Sequence, residues 1–193
     1  MSRIFTLRST HSASVDALRP DQATALVQIL GVCLFVVATA IGAQVRIHLW
    51  EVPITLQTLF VYGSGLVLGA RNGLLSMLLY LGLGMFLPVF ASGSYGPAYL
   101  FSAISAGYLL GMPLAAVTIG TLSRRWNSFT GSLLSTFGGS FVLFACGVIW
   151  LHYSAGHVSW WQSLDVGWLR FIGFDTAKVL LVALSYGGVR RFF

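Results

Sequence analysis

The sequence predicts an all-α membrane protein, folded as one compact bundle of six transmembrane helices with a ligand pocket open to the outer face. The first observation is composition, because 56% of the 193 residues are hydrophobic and only 8% are charged. Ordinary globular domains carry about 25% charged residues. The other two observations are six long apolar stretches and arginines that cluster at the ends of those stretches. Together they exclude a soluble domain.

The six apolar stretches are the candidate membrane spans, because a helix needs about 20 apolar residues to cross the hydrocarbon core and about 17 are tolerated. Only "ARNG" (70–73) separates the second stretch from the third, and this turn signal predicts a tight helical hairpin. Residues 1–22 form a polar, basic segment, and residues 23–193 form the six-helix transmembrane domain that would bind a substrate. The approximate spans are Ala23–Val45, Ile54–Ala70, Gly73–Leu87, Phe101–Leu122, Gly131–Tyr153 and Phe171–Val189.

Arginine placement predicts the orientation. With the N-terminus in the cytoplasm, eight arginines fall in inner segments and two, Arg46 and Arg170, fall in outer segments. Cytoplasmic loops carry an excess of Lys and Arg, so we expect both termini inside. The outer segments are then the longer, glycine-rich and aromatic ones, which favours a pocket on that side. The eight inner residues are Arg3, Arg8, Arg19, Arg71, Arg124, Arg125, Arg190 and Arg191.

Asp175 and Lys178 stand at the head of the last apolar stretch, and Lys178 is the only lysine of the chain. Charges inside a membrane segment mark a functional site or a partner. Residues three apart lie on one helix face. Three interpretations stay open: Asp175 caps the helix through the backbone N–H of Lys178, the two form an ion pair, or they anchor a solute that offers N–H donors and an acceptor.

Other kinds of site find no support in the sequence. His152 and His157 are five apart, on different helix faces and in a probable loop, so we expect no metal site. No nucleophile motif is present, and without a GxxxxGK[ST] loop the chain cannot hydrolyse ATP by itself. The net charge of +6 comes without a basic patch, so we expect no nucleic-acid partner. We therefore expect that the chain is not an enzyme and uses no cofactor. We also expect that a lipid bilayer surrounds it.

Several short motifs occur in a fixed order along the chain. They are "VPITLQ" (52–57), "LGARNG" (68–73), "LLYLGLG" (78–84), "LPVFASG" (87–93), "GYLLG" (107–111) and "FIGFDTAK" (171–178). In these motifs the chain resembles the BioY family of biotin transporters, which are the substrate-binding S components of energy-coupling factor (ECF) transporters. The resemblance covers nearly everything from about Ala40 to the C-terminus.

The resemblance implies a six-helix S component with an outer biotin pocket built from the loops after helices one, three and five. Asp175 would meet the ureido N–H donors of biotin. Lys178 would meet either the ureido carbonyl or the carboxylate, and the sequence leaves that choice open. The full set of implied ligand-binding residues is Asp175, Lys178, Gln57, Tyr80, Phe90, Gly93 and Tyr108.

The function implied is capture of biotin at the outer face of the cell membrane and its delivery inward. Delivery would use a coupling transmembrane subunit and ATPase subunits, or the chain would transport alone. Two alternatives stay open from the residues themselves. One is a membrane structural or assembly protein in which Asp175 and Lys178 only bridge helices. The other is a proton-coupled carrier of another small solute, in which Asp175 titrates.

Overall fold

The computed structural model describes residues 23–47, 52–126 and 128–192, with side chains described up to residue 187. The predicted N-terminal segment 1–22 lies outside the described residues. The helices are α1 Ala25–Gln44, α2 Gln57–Gly84, α3 Pro97–Ser102, α4 Ala106–Arg125, α5 Phe129–Ser154, α6 Trp160–Gly167 and α7 Ile172–Phe192, and the strands are β1 Arg46–Ile47 and β2 Ile54–Thr55. Two 3₁₀ turns lie in the connections between helices: Ala91–Gly93 between α2 and α3, and Leu169–Phe171 between α6 and α7.

The helical segment α2 reverses direction at Gly69. This residue has φ 74° and ψ −178°, a conformation outside the helical region. A positive φ of this kind is open to glycine and costly for a residue with a side chain. As a result, the Gln57 side chain lies 2.8 Å from the Tyr80 hydroxyl, although 23 residues separate them along the chain. The predicted hairpin is confirmed, with its turn one residue before the "ARNG" stretch.

The six-helix prediction is confirmed as well. The six spans are α1, the two arms of α2 (57–68 and 70–84), α4, α5 and α7. Four helices in the described residues are long and apolar enough to cross a membrane by length and composition, namely α1, α2, α4 and α5. Large apolar side chains on the bundle exterior fit a lipid surface, with Leu26 and Leu34 each 65% exposed.

Two parts of the chain differ from the prediction. The fourth span does not begin at Phe101, because the short helix α3 ends at Ser102 and α4 starts only at Ala106. The segment after α5, expected as a loop, contains the eight-residue helix α6. Ser159 begins α6 by accepting a hydrogen bond from the Gln162 backbone N–H at 3.2 Å. Both short helices lie at the end of the bundle opposite Gly69.

Glycines bring α4 close to its neighbours. A Cβ added at Gly120 would lie 2.1 Å from the backbone nitrogen of Ala70, at the start of the second arm of α2. A Cβ added at Gly65 would lie 2.7 Å from the Ala116 carbonyl oxygen. Small residues at such positions let membrane helices approach closely, which supplies the packing that holds them together. The backbone of helix α4 therefore packs directly against the backbone of the α2 hairpin.

Gly120→Ala should destabilise the bundle, because the new methyl group overlaps backbone atoms that cannot move independently. Overpacking of this kind typically costs about 1–3 kcal/mol. Gly82→Ala is the matched control, since a Cβ there meets no heavy atom within 4 Å. Thermal unfolding of the purified variants in detergent measures the effect. Equal melting temperatures for both variants would contradict the tight α2–α4 contact.

Candidate ligand-binding site

A cavity opens at the end of the bundle opposite Gly69. Its walls come from the segment between α1 and α2, the Ala91 turn, α3, α4, α5 and the start of α7. The space between the atoms measures about 640 Å³, including solvent at the mouth. The lining residues are Val52, Pro53, Ile54, Thr55, Gln57, Thr58, Ala91, Tyr99, Ser105, Tyr108, Leu109, Met112, Leu143, Phe144, Phe171, Phe174, Asp175 and Lys178. Most are apolar, which is typical of small-molecule sites.

Asp175 lines this cavity and is only 6% exposed. Its carboxylate accepts a hydrogen bond from the Tyr62 hydroxyl at 2.6 Å and another from the Ser140 hydroxyl. The interpretation of Asp175 as a helix cap is wrong, because α7 begins three residues earlier, at Ile172. The carboxylate instead joins three helices, since its partners lie on α2 and α5.

Lys178 lines the same cavity and holds the segment that precedes α2. Its ammonium group donates to the Thr55 carbonyl at 2.6 Å and to the Thr58 hydroxyl at 2.9 Å. Within the described residues it forms no ion pair with Asp175, so that interpretation is also wrong. An ammonium group carries three N–H donors, and two are used here. One donor and the positive charge are left for a ligand.

Gln57 lies in the cavity wall, and Tyr80 and Phe90 lie behind it. The Gln57 amide donates to the Tyr80 hydroxyl at 2.8 Å, and that hydroxyl donates to the Val89 carbonyl at 3.0 Å. Phe90 packs edge-on against Tyr80 and stacks on Tyr99, which does line the cavity. Neither Tyr80 nor Phe90 lines it. These two predicted residues therefore support the wall rather than form it.

Gly93 is not brought to the site. It lies in the Ala91–Gly93 turn with φ 66°, and only Ala91 of that turn lines the cavity. Gly93 itself lies outside that lining, so its contact with a ligand stays a prediction. Tyr108 does line the cavity, and its hydroxyl donates to the Gly167 carbonyl at 2.6 Å. That hydrogen bond fixes the Tyr108 ring between α4 and the end of α6.

The sequence reasoning missed three polar residues next to the predicted pair: Tyr62, Ser140 and Thr58. It also missed an aromatic stack beside the cavity, in which Phe144 of the wall packs on Trp168 with ring centroids 5.8 Å apart. Trp168 is half-buried and does not line the cavity itself. The polarity of Tyr62 and Ser140 inside apolar stretches was a visible signal, but it does not show which way each side chain faces.

One of the two histidines is placed differently from the prediction, whereas His157 lies in the loop before α6 as expected. His152 lies in α5 rather than in a loop, and both rings reach one side chain instead of facing apart. The Nδ1 atoms of His152 and His157 lie 2.9 and 3.0 Å from the Ser163 hydroxyl oxygen. The His152 ring stacks on Trp160 with centroids 3.8 Å apart. This cluster ties α5 to α6.

Comparison with known proteins assigns the chain to a family. A family model described as the BioY family matches residues 13–193. The chain belongs to the BioY family. One relative is the biotin transporter BioY of Thermotoga maritima, 35% identical over 81% of this chain and 92% of the relative. Another is the probable biotin transporter BioY of Pyrococcus horikoshii, 38% identical over 77% of this chain and 78% of the relative.

A solved structure shares the fold. It is described as the S component for biotin from an ECF-type ABC transporter, and it superposes with a TM-score of 0.79 at 24% sequence identity. The match covers 87% of this chain and 93% of that one. BioY membership and the apolar helices make this chain a multi-pass membrane protein of a transporter family.

Proposed function

We propose that this chain binds biotin at the outer face of the membrane and mediates its uptake. It would act as the S component of an ECF transporter or as a solitary transporter. One observation carries the proposal: a BioY-family bundle holds a largely apolar cavity whose wall presents one carboxylate, Asp175, and one ammonium group, Lys178. Biotin combines two ureido N–H donors and a carboxylate with apolar rings and an apolar chain, so its chemistry matches that wall.

The polar groups would meet the ligand as follows. Asp175 accepts a ureido N–H, because its two protein partners leave further lone pairs on the carboxylate. Lys178 directs its third N–H to the ureido carbonyl or to the carboxylate of biotin. Gln57 and Tyr108 contact the ligand from the wall, and Met112 belongs to the apolar surface that receives the ring system.

The direct experiment is a titration of the purified protein with biotin. We expect saturable binding of biotin and none of thiamin or riboflavin, which lack the five-membered cyclic urea with two N–H donors. The absence of saturable biotin binding would contradict the proposal. Uptake assays in cells with and without a coupling subunit and ATPase subunits then separate an energised S component from a solitary transporter. Uptake that collapses with the proton gradient would indicate a proton-coupled carrier instead.

We also propose that the cavity faces outward and that both termini are cytoplasmic. The end of the bundle that carries the Gly69 turn also carries Arg71, Arg124 and Arg125, which the positive-inside rule assigns to the cytoplasm. The cavity lies at the opposite end. Arg46 and Arg170, the two arginines expected outside, lie at that cavity end in β1 and in the turn before α7.

Cysteine labelling tests this orientation. A cysteine at Val158, which is 98% exposed, should react with an impermeant thiol reagent added outside cells, and a cysteine at Thr130 should not. Ser163 in α6 is fully buried and therefore unsuitable for labelling. The background carries Cys33→Ser and Cys146→Ser, because Cys33 is exposed. Labelling at Thr130 but not at Val158 would contradict the proposed orientation and indicate the opposite one.

A further inference from the structure

Asp175 is held from behind by two hydroxyl groups that the cavity does not reach. Tyr62 is fully buried in the first arm of α2, and Ser140, on α5, is 4% exposed. Both donate to the Asp175 carboxylate, one to each oxygen, with the Tyr62 contact at 2.6 Å. Neither lines the cavity, whereas Asp175 does. The two donors therefore lie on the side of the carboxylate away from the ligand space.

The proton count fits an ionised carboxylate. Each hydroxyl has one proton to donate, and an ionised carboxylate accepts only. With both of its oxygens accepting, the carboxylate has its orientation fixed by two bonds from two different helices. Hydrogen bonds to a charged group are about twice as strong as those between neutral groups. An ionised carboxylate can accept more than these two bonds, and Asp175 itself lines the cavity.

Other buried hydroxyls of the bundle show that this arrangement is specific. Ser64, Ser76 and Ser135 each donate to a carbonyl of their own helix, three or four residues back. This is the usual way in which serine is satisfied inside a helix. Ser140 instead turns to a different helix. Its hydroxyl and that of Tyr62 are both directed to the one buried carboxylate of the cavity.

We propose that Tyr62 and Ser140 are positioning residues for ligand binding. Their hydrogen bonds favour the ionised form of Asp175 and fix its orientation, so that the carboxylate can accept an N–H of the ligand. The inference rests on the proposed biotin function and adds two residues to its site. Their contribution passes through Asp175, so neither needs to touch biotin.

Tyr62→Phe and Ser140→Ala test this, because each removes one hydroxyl and leaves the rest of the side chain in place or nearly so. We expect each variant to bind biotin roughly tenfold more weakly than the unaltered protein. Ser135→Ala is the matched control, since Ser135 is a buried serine of α5, like Ser140, and its only partner among the described residues is the Gly131 carbonyl. It should bind biotin within about twofold of the unaltered protein.

A double-mutant cycle separates positioning from a purely structural role. In the Asp175→Asn background, Tyr62→Phe and Ser140→Ala should change biotin affinity by less than about twofold, because the group that they position has lost its charge. Equal losses in both backgrounds would overturn the inference, as would unaltered binding by both single variants. If the unaltered protein itself fails to bind biotin, the proposed function falls and the inference falls with it. Should Tyr62→Phe not fold, Ser140→Ala carries the test alone.

Discussion

Asp175→Asn is expected to weaken biotin binding about ten- to a hundredfold while leaving the bundle folded. The change removes a charge-assisted acceptor, and hydrogen bonds to charged groups contribute about 1.5–3 kcal/mol. The fold should survive because the amide of asparagine still offers a hydrogen-bonding partner to both the Tyr62 and the Ser140 hydroxyl, which can rotate to donate or accept. Isothermal titration with biotin, together with melting temperature, measures both effects.

The control for this variant is Asp165→Asn. Asp165 lies outside the cavity and forms an exposed ion pair with Arg170 at 2.7 Å. Exposed pairs contribute about 0–1 kcal/mol to stability, and Asp165 has no route to the ligand. Its loss should therefore leave biotin affinity unchanged. If Asp175→Asn binds biotin as tightly as Asp165→Asn does, Asp175 does not anchor the ligand.

Lys178→Met is expected to weaken biotin binding at least as much as Asp175→Asn, by about a hundredfold. Lys178 has two roles: it supplies the only ammonium group in the cavity wall, and it holds β2 and α2 through Thr55 and Thr58. Methionine keeps the apolar stem but removes all three donors. Asp175 should keep its two hydroxyl partners in this variant, which favours a folded bundle. Titration with biotin is again the measurement.

Thr58→Val separates the two roles of Lys178. Valine removes one acceptor of the ammonium group and leaves the lysine charge, so affinity should fall only a few-fold.

The double variant Asp175→Asn, Lys178→Met tests the helix-bridge alternative. If the pair only bridged helices, the neutral double variant would regain stability that each single variant had lost. Tight biotin binding by that double variant would refute the anchoring role of both residues.

The sequence was sufficient for the spans and the hairpin. Hydrophobic length predicts helices such as α1 and α5 directly, and the glycines and arginine around residue 70 mark the reversal. It was not sufficient for α3 and α6. These helices have six and eight residues, which is too short for the length of an apolar stretch to predict them. They depend on packing against longer helices, which is a tertiary effect.

The same limit applies to the site. Asp175 and Lys178 were identifiable because a charge inside an apolar stretch has few explanations. Tyr62, Ser140 and Thr58 are neutral, and serine or threonine in a helix most often bonds to its own backbone. Their contacts follow from the rotation of α2 and α5 about their axes, which no local pattern specifies. The turn at Ala91–Gly93 is a related case, since its backbone conformation places Ala91 rather than Gly93 in the cavity lining.

The reversal at Gly69 has a consequence for the lipid around this protein. The two arms of α2, residues 57–68 and 70–84, extend roughly 18 and 22 Å at 1.5 Å per residue, against a hydrocarbon core of about 30 Å. Where an arm is shorter than that core, non-helical backbone would complete the crossing, and such backbone is tolerated only where it is buried in protein or lines an aqueous cavity. A bilayer accommodates a short hydrophobic element by thinning, at a modest cost for each Å. The side of the bundle formed by the α2 hairpin should therefore favour thin membranes. A change in bilayer thickness should shift the position of the loops that enclose the ligand.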